Sequence, residues 1–387
     1  MNYDFDKGVS RYGTNSLKWD CAAGRGKPEG LLPMWVADMD FRAPQEVLEE
    51  IGKAAAHGIF GYTEAGQDYY DALTAWFASR FGFSFTKQEV LKAPGVVFAL
   101  ALAVKAFTNV GDSVLIQTPV YYPFYKVVRN NERKIVTNPL VYENGKYAVD
   151  FTDFEQKIAA NDVKLFILCS PHNPVGRVWT KDELERLSSI CKAHGVQVVS
   201  DEIHCDFVWG ENKHTCFGVL DENAVILTAP SKTFNLAGLQ VANVIAKNAD
   251  LRCKLQAEID KTGYSQLNTL GLVAAQSAYT HGAKWLAKLN AYIEGNIHYA
   301  KEFITEQLPK VKLVETQGTY LLWLDFSAYE LPQEELDGRI ISGAKLWLDD
   351  GMMFGEEGKG FQRMNIACPQ DTLSEALRRL AREFEKK

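Results

Sequence analysis

Residues 224–240 read AVILTAPSKTFNLAGLQ, and the placement of Lys232 in that run decides how the rest of the chain is read. Residues 224–227 are apolar and partly β-branched, as a buried strand requires; the run then breaks at Pro230, presents a lysine and continues to Gly238. An ammonium held at the mouth of a buried strand is stripped of water, which favours the neutral amine. A neutral amine is a nucleophile toward aldehydes. The alternative is a surface lysine behind an edge strand, since most lysines are exposed. The choice rests on what other stretches bring to the same end of a sheet.

Residues 196–204, VQVVSDEIH, read as a strand closing on Asp201. A carboxylate at the C-terminal end of such a strand faces the crevice where open α/β sheets bind ligands. The run 164–169 leads directly into SPHNPVG at 170–176. Residues 93–100, APGVVFAL, read as a strand end, a tight turn and the start of an apolar helix reaching about residue 107. The free N–H groups and positive dipole end of that helix make an anion site at Gly95, Val96 and Val97, weak as a signal alone and placed mainly by its neighbours. A short buried-strand pattern at 113–117 precedes TPVYYP, 118–123. There Tyr121 and Tyr122 either cover a flat ring or simply occupy a proline-rich turn. An aldehyde to meet the lysine, a ring nitrogen that must stay protonated opposite a carboxylate, and a phosphate are the three demands of pyridoxal phosphate. Far downstream, Arg363 sits in the β-like run FQRMNIA, 361–367. An unpaired buried guanidinium is costly, and its planar fork suits a bidentate grip on a carboxylate; a structural ion pair is the other reading.

SPHNPVG, SDEIHCDF (200–207) and APSKTFNLAGLQ (229–240), in this order and spacing, resemble the fold type I pyridoxal-phosphate enzymes. More narrowly they resemble the MalY/PatB branch of cystathionine β-lyases, the cysteine C–S lyases of the aminotransferase class I/II superfamily. The resemblance runs from MWVADMDF (34–41) to RMNIA (363–367), nearly the whole chain. It implies an α/β fold of the aspartate aminotransferase type. A large domain, residues 45–282, would carry a mostly parallel central sheet. A smaller α+β domain would combine residues 1–44 with 283–387, with the seam at Gly282.

The resemblance also implies roles. Lys232 bonds the cofactor and serves as base, Asp201 pairs with the ring nitrogen, Asn173 reaches the phenolic oxygen, and Tyr121 stacks on the ring. Ser231 and the backbone of Gly95, Val96 and Val97 hold the phosphate. His204 lies beside the ring, although a satisfied core histidine fits that position equally. Tyr62 reaches the phosphate of a neighbouring subunit, which makes the protein a homodimer. Arg363 takes the substrate carboxylate, with Asn173, Tyr122, Val36 and Ala37 around the substrate. Thr118–Pro119 and Asn173–Pro174 are expected cis. Many transaminases carry Ser three residues before the lysine and Arg eight after it; this chain has Ala229 and Gln240, which loosens the phosphate assignment and fits the C–S lyase branch.

Composition sets outer limits. With 387 residues, 47% hydrophobic and 24% charged, the chain is long enough for two domains with real cores. A net charge of -7 without basic clusters argues against nucleic acid as partner. No signal-like or membrane-length apolar run appears, and seven cysteines without a C-x-x-C pair suit a reducing compartment, so a cytoplasmic location is expected with no metal site. The implied activity is β-elimination from L-cystathionine and related cysteine thioethers, giving thiol, pyruvate and ammonia. The same residues would serve an aminotransferase, and a cofactor-bearing regulatory protein is the reading from another class.

Overall fold

The computed structural model describes residues 3–385. Seven strands make the central sheet: β1 (Val90–Ala93), β2 (Ser113–Thr118), β3 (Lys134–Pro139), β4 (Val163–Cys169), β5 (Gln197–Asp201), β6 (Val225–Thr228) and β7 (Ala242–Ala246). Their order is β1-β7-β6-β5-β4-β2-β3. From β3 to β6 all neighbours are parallel, and β7 alone runs against both β6 and β1. The sheet is therefore mostly parallel, as expected. Every residue of β2, β6 and β7 is buried. This explains why these segments read as continuous apolar runs: the sheet is covered on both faces.

The topology brings one set of chain segments to one edge. Five parallel strands end there, at Thr118, Pro139, Cys169, Asp201 and Thr228, and β1 ends there too, at Ala93, because β7 reverses direction between it and β6. The turns after β1, β2, β4, β5 and β6, and the turn before β7, carry Gly95, Tyr121, Asn173, His204, Lys232 and Gln240. Helix α1 (Gln45–His57) and helix α2 (Gln67–Phe81) precede the sheet, and helix α3 (Val96–Phe107) is the expected apolar helix after the Gly95 turn. Asn144 and Gly145, at φ 51° and 81°, form the tight turn of the hairpin 141–148. Thr118–Pro119 and Asn173–Pro174 are both cis; so is Ser170–Pro171, which sequence reading did not anticipate.

After β7 come three helices, α4 (Ala249–Thr262), α5 (Thr269–His281) and α6 (Ala283–Gln307). Gly282 separates the last two. A Cβ there would stand 2.3 Å from the Phe234 ring and 2.5 Å from the Ala278 carbonyl, so only glycine fits the joint. The chain then forms a second, antiparallel sheet from β8 (Lys312–Leu313), β9 (Leu321–Asp325), β10 (Asp349–Asp350) and β11 (Phe361–Asn365), ordered β8-β9-β11-β10. A last helix, α7 (Gln370–Phe384), follows. The short strand β10 was not legible in the sequence, and it sets Asp349 directly across from Arg363.

The N-terminal segment is tied to its own chain. Arg11 bonds Asp38 at 2.6 Å and Asp40 at 3.0 Å, and buried Lys18 reaches Asp40 at 2.7 Å. Among the described residues no helix is long and apolar enough to cross a membrane.

Candidate active site

A cavity of about 200 Å³ opens at the C-terminal edge of the sheet. Lys232, Asp201, Asn173, Tyr121, His204, Ser231, Gly95, Val96, Val97 and Ala37 all line it. Ten residues singled out from five separate stretches and the segment 34–41 thus meet in one place. Cys169, Ile203 and Gln240 are also part of the wall, without having been anticipated as lining residues.

Lys232 lies in the single-turn helix Pro230–Thr233 that follows β6. Its Nζ donates to the Ala37 carbonyl at 2.6 Å. Burial pushes the amine down to about 8, against the pull of Asp38 and Asp201 and with help from Arg363. The amine is therefore close to the balance between its two protonation states near neutral pH, which is the condition for a nucleophile and base. Asp201, the last residue of β5, shows the opposite displacement. Its carboxyl is buried, accepts one hydrogen bond from the Ile203 N–H at 3.1 Å, and burial pushes it up to about 7 although Lys232 opposes this. It has no ion-pair partner within contact distance among the described residues, and at the cavity the Lys232 amine opposes the effect of burial on it only in part.

His204 is buried with Nδ1 lacking any partner, and burial drives its ring far below the ordinary histidine range. It lines the cavity as a neutral imidazole, so it is not the fully satisfied core histidine that was the other reading. Helix α3 opens at the cavity with Gly95 as its N-cap, and its first intrahelical bond runs from Ala99 N–H to the Gly95 carbonyl at 3.0 Å. The N–H groups of Val96, Val97 and Phe98 are consequently free of helix partners, an anion site reinforced by the helix dipole. The Ser231 hydroxyl and the Gln240 amide stand on the same wall.

Asn173 links the cavity to the second sheet. Its carbonyl accepts from the Tyr121 N–H at 3.0 Å, and its Oδ1 accepts from Arg363 Nη1 at 2.8 Å. Arg363, 2% exposed on β11, also donates from Nη2 to the Trp35 carbonyl at 3.0 Å and to the Asp349 carboxylate. The ion pair and the carboxylate receptor were alternatives in the sequence; the ion pair is present. Tyr122 packs on Tyr121 with ring centroids 5.3 Å apart. Val36 and Ala37 present their carbonyls, the first to Asn365 Nδ2 and the second to Lys232 and the Tyr320 hydroxyl. Tyr62 stands apart, 97% exposed, beside a surface hollow whose wall shares Pro94 and Gln240 with the cavity.

A near-neutral amine, a carboxylate in want of a cation, an anion-binding helix end and a buried guanidinium define an α/β enzyme site built to hold a phosphorylated, cationic ring and an amino acid. A family model for aminotransferase class I and II matches residues 32–380. The chain is 45% identical to cystathionine β-lyase PatB of Bacillus subtilis over 97% of its length and 98% of the relative's. It is 34% identical to protein MalY of Escherichia coli, covering 97% of both. The crystal structure of cystalysin from Treponema denticola, which contains a pyridoxal 5'-phosphate cofactor, superposes with a TM-score of 0.96 at 36% identity over 100% of this chain and 99% of that one. The chain belongs to the aminotransferase class I and II family. Within it, the chain is of the MalY/PatB type.

Proposed function

We propose that this protein is a pyridoxal-phosphate-dependent C–S lyase that cleaves L-cystathionine and related cysteine thioethers by α,β-elimination to thiol, pyruvate and ammonia. The observation that carries the reading is the meeting of a near-neutral Lys232 and an uncompensated, buried Asp201 in one cavity. Asp201 fits the cofactor because a protonated pyridine nitrogen is the cation it lacks. The open N–H groups at the start of α3, with Ser231 and Gln240, suit the phosphate. Asn173 would meet the phenolic oxygen, and Tyr121 and His204 would flank the ring. When bound, the cofactor supplies an aldehyde for Lys232 and an electron sink for the carbanion.

The chain's own residues then divide the work. Arg363 binds and orients the substrate carboxylate, with Asn173, Tyr122 and the 36–37 backbone closing around it. Lys232 Nζ would take the proton from Cα. The Cα–H pair forms the Cα–Cβ double bond, the Cβ–S bond breaks, and sulfur leaves as thiolate. Hydrolysis of the resulting enamine gives pyruvate and ammonia. Tyr62, exposed beside the hollow that borders Pro94 and Gln240, fits the phosphate of a second subunit, which favours a homodimer with shared sites. The seam at Gly282 favours a large domain of residues 45–282 and a smaller one from the two ends. All seven cysteines are free, which favours the cytoplasm.

The reaction type separates this reading from an aminotransferase. With L-cystathionine alone, pyruvate, ammonia and homocysteine should appear together through many turnovers. A transaminase half-reaction stops after one equivalent. If pyruvate release needs an oxo-acid acceptor, the aminotransferase reading replaces this one; no turnover with any thioether favours the regulatory one. Arg363→Lys should keep the cofactor's absorbance while lowering kcat/KM, since a charge-assisted hydrogen bond is worth about 1.5 to 3 kcal/mol. Unaltered kinetics would leave Arg363 a purely structural residue.

A further inference from the structure

Arg363 does not stand in the site with its charge bare. One Nη2 hydrogen goes to the Asp349 carboxylate and the other to Trp35 O; Nη1 donates to Asn173 Oδ1; the guanidinium lies 4.8 Å from the centroid of the Phe354 ring. Its Nε–H has no acceptor among the described residues. Asp349 is 3% exposed, cross-strand from Arg363, and has no part in the chemistry described above. With Asp349 ionised the pair is neutral and offers a second carboxylate little attraction. Two carboxylates on one buried guanidinium cannot both stay ionised cheaply, because like charges at short range raise each other's pKa.

We propose that Asp349 is the resident occupant of the carboxylate receptor: it keeps Arg363 neutralised and aimed while no substrate is bound, and takes up a proton when the substrate's α-carboxylate arrives. Capture of the amino acid is thereby coupled to proton uptake. The inference rests on Arg363 being the carboxylate grip. The charged and titratable groups around Asp349 are Arg363 across the sheet, Asp350 on its own strand, Arg25 and Lys27 from the N-terminal segment, Asp337 on the wall of a hollow that Asp349 also lines, and Tyr121 and Tyr122 from the turn after β2. Arg363 and Lys27 favour its charged form; Asp350 and an arriving carboxylate favour the neutral one. Burial pushes both tyrosines up, so they remain neutral. Burial displaces Asp349 upward, against the pull of the Arg363 guanidinium. The bound state holds the extra proton, so affinity for a carboxylate ligand falls as pH rises.

The test uses the holoenzyme and β-(methylthio)propionate, which has a thioether and a carboxylate but no amine to engage the cofactor. In the wild type its inhibition should weaken steadily as pH rises across the assayed range. Asp349→Asn retains an acceptor oxygen for Nη2 but cannot ionise. It should bind the inhibitor about tenfold more tightly at the upper end, the equivalent of one pKa unit, with a flatter profile. Asp349→Ala, which also loses the acceptor, should bind less tightly than Asp349→Asn. Calorimetry of the wild type in buffers of different ionisation enthalpy should show net proton uptake on binding. Asp349→Asn leaves Lys232 and the cofactor in place, so the change in slope isolates Asp349. No proton uptake, or an unchanged slope in Asp349→Asn, overturns the proposal. If Arg363→Ala leaves the inhibition constant unmoved, the assignment of Arg363 itself fails instead.

Discussion

Lys232→Ala should reduce thioether cleavage by at least about 10⁴-fold, the upper range for removing a positioned acid–base group. The loss is large because one amine performs two tasks. In the proposed mechanism it would hold the cofactor in the free enzyme, and it is the near-neutral amine among the described cavity-lining residues that would remove the Cα proton. Borohydride reduction of the wild type should fix the cofactor covalently to Lys232 and to no other lysine, as peptide mass mapping will show. The variant should take no such label at this position. A small primary amine added to the variant should restore part of the activity, because the base can be supplied from solution while the cavity is otherwise intact. Only the neutral amine accepts a proton, and the group lies at about 8, so turnover should climb with pH toward a plateau above that value. Labelling of another lysine, or unchanged turnover in Lys232→Ala, would remove the centre of the proposed mechanism.

The residues that proved legible share one trait: each follows or ends a strand at the same sheet edge. Asp201, Asn173, Lys232 and the Gly95 turn could be read one by one as strand ends, and a parallel sheet forces such ends together. The direction of β7 was not legible, because a strand buried on both faces has the same apolar pattern whichever way it runs. Asp38 and Asp40 illustrate a different failure. The motif MWVADMDF was read as flanking the substrate, and its backbone does receive Lys232, yet both carboxylates are occupied by Arg11 and Lys18 from a segment without periodicity. Asp38 nonetheless acts on the site from there, holding the Lys232 amine up against the effect of burial. Asp349 was invisible for a simpler reason. A two-residue strand gives no periodic signal, and a pair of acids before a glycine reads as solvated surface until β10 pairs with β11. Arg363 was posed as either receptor or ion pair, whereas a guanidinium with several donors can be both.

Asp201→Asn should separate the stability of the protein from its activity. In cofactor-free protein the carboxyl is held at about 7, above its ordinary 3.8, by burial. Between those two values the unfolded chain has released the proton and the folded chain has not, so stability falls as pH rises through the window. Lys232 acts in the opposite sense: its amine, lowered from 10.5 to about 8, makes stability rise with pH across that interval. Cofactor-free wild type should therefore show a trough of thermal stability between roughly pH 7 and pH 8. Asp201→Asn removes the acidic side of the trough and should raise stability near neutrality, by at most about 4 kcal/mol. With the cofactor present the outcome reverses. The amide cannot compensate a protonated ring nitrogen, and breaking a buried charge pair costs about 3 to 5 kcal/mol, so kcat should fall by roughly 10² to 10⁴-fold. Cofactor affinity should fall with it, measurable by dialysis against limiting pyridoxal phosphate. Differential scanning calorimetry of the two cofactor-free proteins across this pH range decides the matter. A flat profile in the wild type with no gain in Asp201→Asn would mean that the carboxylate already has a countercharge, and that the ring nitrogen has no claim on it.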